Sequence, residues 1–253
     1  MLLAVDIGNT DVVLGVWHEN HWKHVWRIRS LPHENTLYYE SRLRQHLLDA
    51  GLRSGDFGRT VVSSVVPPLT GMFRTMLGSL FGTEPLLVSP EAYPALQVRI
   101  DRPHELGTDL FANAVAAYAK YRRNCVVVDF GTALTFTTVS AAGEVLGVAI
   151  APGLRTAVKA LAGNTAQLPD VPLRLPASAI GKNTVQSMQA GILWGYVGLV
   201  ESLLGRIRAE LGGDCVAVAT GGLSSVLEPL QNQFVETNIH LTLDGLRIIG
   251  ENG

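Results

Sequence analysis

Leu2 to Trp17, LLAVDIGNTDVVLGVW, is the stretch from which the fold is read. Apolar and β-branched residues run to Asp6, the chain turns through Gly8, Asn9 and Thr10, and a second apolar run follows, which is the pattern of a β-hairpin. A carboxylate at a strand end can hold metal-bound water, and Gly8 lets backbone N–H groups of the turn approach a polyphosphate closely. Alone, the stretch is equally an ordinary hairpin turn, where Asp and Gly are common. Val126 to Ser140, VVVDFGTALTFTTVS, repeats the grammar: an apolar strand ending in Asp129, a turn through Gly131 and Thr132, and a second strand rich in Thr and Val. Two phosphate-facing turns of this kind are what a nucleotide held between two similar lobes needs, although Asp-x-Gly-x-Thr in the first copy is only approximated by Asp-Phe-Gly-Thr in the second.

Between the hairpins, TVVSSVVPPL (60–69) and PLLVS (85–89) read as short buried strands, whereas TLYYESRLRQHLLDAG (36–51) and LTGMFRTMLGSLFG (69–82) carry helical spacing and end in glycine. TDLFANAVAAYAKY (108–121) opens on Thr108 as a candidate N-cap and puts Asp109 in the first turn of a helix. PGLRTAVKALAG (152–163) reads as helix and the Pro-rich 168–181 as loop. A longer helix follows, whose Val185, Met188, Ile192, Tyr196, Leu199, Leu203 and Ile207 form an apolar stripe that faces a core or a partner, core packing being the favoured reading. VAVATGG (216–222) is a strand running into a glycine turn, LSSVLEPLQ (223–231) a helix, and HLTLDGLRII (240–249) a pair of β-like runs around Asp244-Gly245. With no flexible linker in sight, the sequence predicts an α/β chain of two lobes, 1–117 and 118–253.

Composition narrows the function classes. A chain of 253 residues, 47% hydrophobic and 17% charged, can bury a substantial core. A formal net charge of -2 supplies no general attraction for nucleic acid or anionic lipid, so neither is an expected partner. Cys125 and Cys215 each start an apolar run, which suits buried thiols in a reducing cytoplasm. The N-terminus lacks the basic flank of a signal peptide, and the longest uncharged apolar stretch stops at Glu201, short of the roughly 18 to 20 residues that span a bilayer. No G-x-G-x-x-G follows a strand, and Gly181-Lys182 lacks the rest of a P-loop, so neither a Rossmann nor a Walker site is expected.

Phosphoryl transfer needs positioning, charge neutralisation and one group to take the acceptor's proton. Asp109, two residues after Gly107 at a helix start, is the candidate, although a carboxylate there commonly serves only the helix dipole. Thr220-Gly221-Gly222 could pass beneath a nucleoside or be a plain strand-to-helix turn. His104 and Glu105 read as surface loop.

Taken together and in order, DIGNT (6–10), PHELGTD (103–109), DFGTALT (129–135), PG (152–153), GKNTVQSMQAGILWGYVGLVE (181–201) and TGG (220–222) resemble the type III pantothenate kinases. The resemblance spans nearly the whole chain. It implies two actin-like (ribonuclease H-like) lobes, each a mixed sheet with flanking helices, and ATP-dependent phosphorylation of pantothenate, the first step of coenzyme A synthesis. It further implies that Asp6, Ile7, Gly8, Asn9, Thr10, Asp11, Val12, Val13 and Thr132 line ATP, and that Asp109 accepts the proton. Gly107, Thr108, Asp109, Leu110 and Thr184 would contact pantothenate. Asp129 would help hold a monovalent cation, K+ or NH4+, and Asp6 would hold Mg2+ through water. A cytoplasmic homodimer is the implied state, with the long-helix stripe as a surface that could serve its interface. Leu110 stands where the family pattern has Arg, and Ile100 where many members carry a substrate-side Tyr, with Tyr93 nearby but offset and Arg99 and Arg102 as candidate replacements for the missing guanidinium. A kinase of another small hydroxy acid and a non-catalytic nucleotide-binding regulator are the alternatives these departures motivate.

Overall fold

The computed structural model describes residues 1–252 and separates into two compact units, Met1–Ala119 together with a C-terminal helix from Leu241, and Lys120–His240. The first unit begins with an antiparallel meander of β1 (Leu2–Ile7), β2 (Asp11–His18) and β3 (His21–Arg29). It continues through α1 (Thr36–Asp49), β4 (Arg59–Ser64), α2 (Pro67–Phe81), β5 (Leu86–Leu87), β6 (Gln97–Val98) and α3 (Thr108–Tyr121). Its main sheet has the order β3-β2-β1-β4-β5, with β1 antiparallel to β2 and parallel to β4. The strand β1 is apolar on both faces because both are covered. Leu3, Val5 and Ile7 join Tyr39, Leu43 and Leu47 of α1 and Leu69, Phe73 and Leu77 of α2 in one buried cluster, while Leu2, with Val61 of β4, meets the C-terminal helix at Gly250.

Local chemistry sets where the first two helices start, α1 where expected and α2 at Pro67, in residues read as the end of a strand. Asn35 caps α1 by accepting the Tyr38 N–H at 3.1 Å, and Pro67 and Pro68 open α2, where a missing N–H costs nothing.

The second unit repeats the plan. Strands β7 (Cys125–Phe130), β8 (Ala133–Val139) and β9 (Glu144–Pro152) form its meander, followed by α4 (Leu154–Gly163), α5 (Thr184–Gln189), α6 (Gly195–Glu210), β10 (Val216–Thr220) and β11 (Glu236–Thr237). Here the order is β11-β10-β7-β8-β9, with β7 antiparallel to β8 and parallel to β10, so β7 and β10 play the parts of β1 and β4. Two lobes, each a mixed sheet with flanking helices, are therefore present.

Three features depart from the sequence reading. The last segment is a helix, α7 (Leu241–Asn252), packed on β1 and β4 of the first unit, rather than a pair of strands in the second. Alternating Leu241 and Leu243 imitate a strand, but Leu246, Ile249 and Gly250 complete a helical face, and Gly245 marks a close approach to the Ala112 backbone of α3 rather than a turn. The segment 223–231 forms turns and a short 3-10 helix, Glu228–Gln233, because Pro229 removes the N–H an α-helix would need.

The long helix is the third. A π turn, Ala190–Trp194, joins α5 to α6, and its wider turn advances the buried ridge by one residue. Met188 and Ile192 are buried as read, but from Leu193 in the π turn onward the ridge is Leu193, Val197, Val200 and Leu204. Tyr196, Leu199, Leu203 and Ile207 sit half-buried beside it, against the same core cluster. Thr184–Glu210 is thus one 27-residue helical stretch, long and apolar enough by length and composition to cross a membrane, where the sequence reading had stopped at Glu201; its ridge is packed in the core of its own unit.

Candidate active site

In the first unit, the C-terminal ends of the parallel strands β1 and β4 bring Asp6 and Ser63 side by side. Ser63 is wholly buried, and its hydroxyl donates to Asp6 Oδ1 at 3.0 Å. Just beyond Asp6 the turn closes with Gly8 N–H donating to the Asp11 carbonyl at 3.0 Å, and the Ser30 N–H ties the turn to the end of β3 through the Thr10 carbonyl at 2.9 Å. Asn9 and Thr10 are exposed at its tip, whereas the Ile7 and Val12 side chains are core, so anything those two offer a ligand comes from their backbone.

The start of α3 reaches the same place. Gly107 supplies the first helical carbonyl, accepting the Phe111 N–H at 3.0 Å, so Thr108 lies inside the helix and is not its cap. Its hydroxyl turns instead to the end of β4: Thr108 Oγ1 accepts the Ser64 N–H at 3.0 Å and lies 3.0 Å from Ser63 Oγ. Asp109 follows in the first turn, as expected, with its Oδ1 accepting the Leu110 N–H at 2.8 Å. Although the carboxylate keeps an exposed edge, protein crowds it on most sides, and the resulting desolvation raises its pKa above the ordinary aspartate value of 3.8 against the opposing pull of the Leu110 N–H. A Cβ at Gly107 would lie 2.5 Å from Asp109 Oδ1, so a larger residue there would push the carboxylate aside.

Asp6, Thr108 and Asp109 are thus connected within one unit, through Ser63, a residue that the sequence reading passed over. The signal was available in the paired serines ending the apolar run TVVSS, at the carboxyl end of a parallel strand where α/β sheets present their ligand groups. Leu110 is half-buried on α3, and Ile100 is half-buried between β6 and the 3-10 turn Pro103–Glu105. Arg102 pairs with Glu105 at 2.9 Å on an exposed loop, so its guanidinium is engaged there.

The second unit builds the matching turn with more glycine. Asp129 ends β7 next to Thr220 of β10, the register that Asp6 and Ser63 occupy in the first unit. Gly131 N–H donates to the Ala133 carbonyl at 3.1 Å, a turn one residue tighter than its counterpart. Gly153 lies against this turn, its N–H donating to the Thr132 carbonyl at 3.0 Å, and a Cβ there would collide with the Gly131 carbonyl. Gly221, at a φ of +90°, passes so near that a Cβ would sit 2.5 Å from Asp129 Oδ1. The exposed Thr184 opens α5 behind its cap Asn183, whose side chain accepts the Gln186 N–H at 2.9 Å. Among the described residues no group of three or more His, Cys, Asp or Glu could hold a metal ion by itself. A divalent ion here would lean on a single carboxylate such as Asp6 together with phosphate oxygens, the usual manner for Mg2+.

Known proteins match this chain over almost all of its length. A family profile described as type III pantothenate kinase matches residues 2–206. The type III pantothenate kinase of Moorella thermoacetica is 43% identical over 251 residues, 99% of either chain. Among solved structures, a Campylobacter jejuni protein described as a Baf family transcriptional activator superposes with a TM-score of 0.63 at 18% identity, covering 98% of this chain and 96% of its own. A Sinorhizobium meliloti protein described as a 2-dehydro-3-deoxygalactonokinase gives 0.60 at 12% identity, with 98% and 95% covered. At such identities the structures speak for the shared fold, and the sequence match carries the family: this chain belongs to the type III pantothenate kinases.

Proposed function

We infer that the chain transfers the γ-phosphoryl group of ATP to the primary hydroxyl of pantothenate, giving 4'-phosphopantothenate and ADP at the entry to coenzyme A synthesis. The observation that carries this reading is Asp109, a desolvated carboxylate in the first turn of α3, in a chain of this family. As the acceptor oxygen bonds to phosphorus and the bond to ADP breaks, Asp109 takes the hydroxyl proton, and desolvation, by raising its pKa, makes it a more basic acceptor than an exposed aspartate. Asp6 and the backbone from Ile7 to Val13, with the exposed Asn9, Thr10 and Thr132, bind the nucleotide. A divalent ion carried by Asp6 through water would supply charge neutralisation. Gly107 to Leu110, Ile100 and Thr184 bind pantothenate, and Asp129 contributes to a site for K+ or NH4+. The working form is a cytoplasmic homodimer.

Leu110 supports a second reading, a different small hydroxy acid as acceptor, because the family's guanidinium is replaced by an apolar side chain. Mass spectrometry of products from a panel of hydroxy acids with Mg-ATP tests both. The first reading predicts that pantothenate gains one phosphoryl group faster than any other acceptor. A preferred acceptor other than pantothenate would establish the second, and ATP binding without turnover on any acceptor would contradict both in favour of a regulator.

A further inference from the structure

Ser63 has no part in the roles assigned above, yet it is the atom-by-atom link between the two halves of the site in the first unit. Its side chain is fully buried, next to Val61 and Val62 near the end of β4, where an unpartnered hydroxyl would be costly. Both of its neighbours are site residues: Asp6 Oδ1 at 3.0 Å and Thr108 Oγ1 at 3.0 Å. Proton bookkeeping fixes the direction of the Ser63–Asp6 link. An ionised Asp6 can only accept, so the Ser63 hydrogen goes to Asp6, and Ser63 Oγ is left to accept from Thr108. Thr108 in turn accepts the Ser64 N–H at 3.0 Å, which keeps its own hydrogen available for Ser63 Oγ or the Ser64 carbonyl at 3.2 Å. With the Thr108 hydrogen on Ser63 Oγ, the shorter of its two contacts, the series runs Ser64 N–H to Thr108 O–H to Ser63 O–H to Asp6 carboxylate and ties the first turn of α3 to the strand end that carries Asp6.

We propose that Ser63 is a positioning residue for phosphoryl transfer, holding the start of α3, and with it Asp109, at a fixed place relative to Asp6. It touches neither substrate in this role and acts through Thr108. The consequence is kinetic more than thermodynamic, because a reacting group displaced by as little as about 1 Å can lose up to about a hundredfold in rate. With the Ser63 hydroxyl removed, Thr108 keeps the Ser64 N–H at 3.0 Å and its hydrogen turns to the Ser64 carbonyl at 3.2 Å, so α3 stays bonded to β4 but loses its link to Asp6.

The inference rests on the kinase reading, and the two fail separately: turnover by the parent chain reports on the reading, and the ratio of variant to parent reports on Ser63. The variants are Ser63→Ala, Thr108→Val, their combination, and Ser63→Thr, each measured for kcat, for ATP affinity by calorimetry and for unfolding midpoint. Expected are a fall in kcat of about tenfold or more in either single variant and a change in ATP affinity below about threefold. The double variant should be no slower than the slower single one, since both cut the same tie. Ser63→Thr, which keeps the hydroxyl, should recover most of the lost rate. Losses that multiply in the double variant, or a Ser63→Ala enzyme within about twofold of the parent kcat, would overturn the proposal. Should Ser63→Ala fail to fold, Thr108→Val decides from the other end of the tie: kcat falling about tenfold with KM for pantothenate and ATP affinity within about threefold supports it, and an unchanged kcat or a loss confined to KM for pantothenate overturns it.

Discussion

Asp109 is where a single residue bears most of the account. Its folded-state pKa is raised by desolvation, so between the ordinary value of 3.8 and the folded value the native state binds more protons than the unfolded one. The sign follows: Asp109 makes stability fall as pH rises through that window, and above it the charged carboxylate remains a cost. Asp109→Asn should therefore melt higher than the parent at pH 7 while losing at least about a hundredfold in kcat, a pairing that thermal melts and steady-state rates check together. In the parent, the acidic limb of kcat/KM should lie above the range of an exposed aspartate. Leu110 gives a second prediction. Leu110→Arg restores a donor to the acceptor side, and a charge-assisted hydrogen bond of about 1.5 to 3 kcal/mol would lower KM for pantothenate by roughly one to two decades; an unchanged KM would mean that Leu110 does not face the acceptor.

At this scale the placement of Asp6 near a strand end and of Asp109 in a first helical turn was legible in the sequence, because each lies two residues from a glycine at one end of a recognisable element. Ser63 was not. A serine at the end of an apolar run has no local signature, and only the parallel register of β1 and β4 sets it beside Asp6. Thr108 misled for a related reason: its place before a helical run suggests a cap, but the serine-ended strand offered its hydroxyl better partners.

Elements were legible wherever local pattern and tertiary use agreed. The two hairpins, α1 and α3 lie where the sequence pattern puts them: α1 buries one face through Tyr39, Leu43 and Leu47, whereas β1 and α3 are covered on both sides and read as continuous apolar runs. The long helix did not follow the count, since the π turn at Ala190–Trp194 cannot be inferred from spacing and moves the buried ridge from Ile192 to Leu193 and Val197. Glycines made the reverse case, visible in sequence but explained only by packing. Gly153 leaves no room between α4 and the Thr132 turn, so Gly153→Ala should cost about 1 to 3 kcal/mol by overpacking. Denaturant titration would show this, and because the displaced backbone is that of Gly131 and Thr132, KM for ATP should rise in the same variant.

For the molecule as a whole, the repeated hairpin was enough to foresee two similar lobes, and the family resemblance supplied the mixed sheet, which arises because β4 and β10 each pair in parallel with the first strand of their meander. The return of the chain was not foreseen. The helix α7 covers Leu2 and Val61 and lies against the Ala112 backbone, so the first unit is completed by residues from the far end of the sequence. Truncation before Leu241 should uncover that apolar face and leave β1 and β4 unprotected in hydrogen exchange, while the strands β7 and β10 keep their protection. Equal loss in both sets of strands would contradict the division into units.

The central claim is that this chain is a pantothenate kinase with Asp109 as proton acceptor, and pantothenate-dependent ADP formation by the parent and Asp109→Asn proteins, at saturating Mg2+ and K+, tests it most directly. The account predicts one ADP per phosphorylated pantothenate in the parent and a kcat at least about a hundredfold lower in the variant, with ATP still bound. No pantothenate-dependent ADP in the parent, or full turnover in Asp109→Asn, would contradict it.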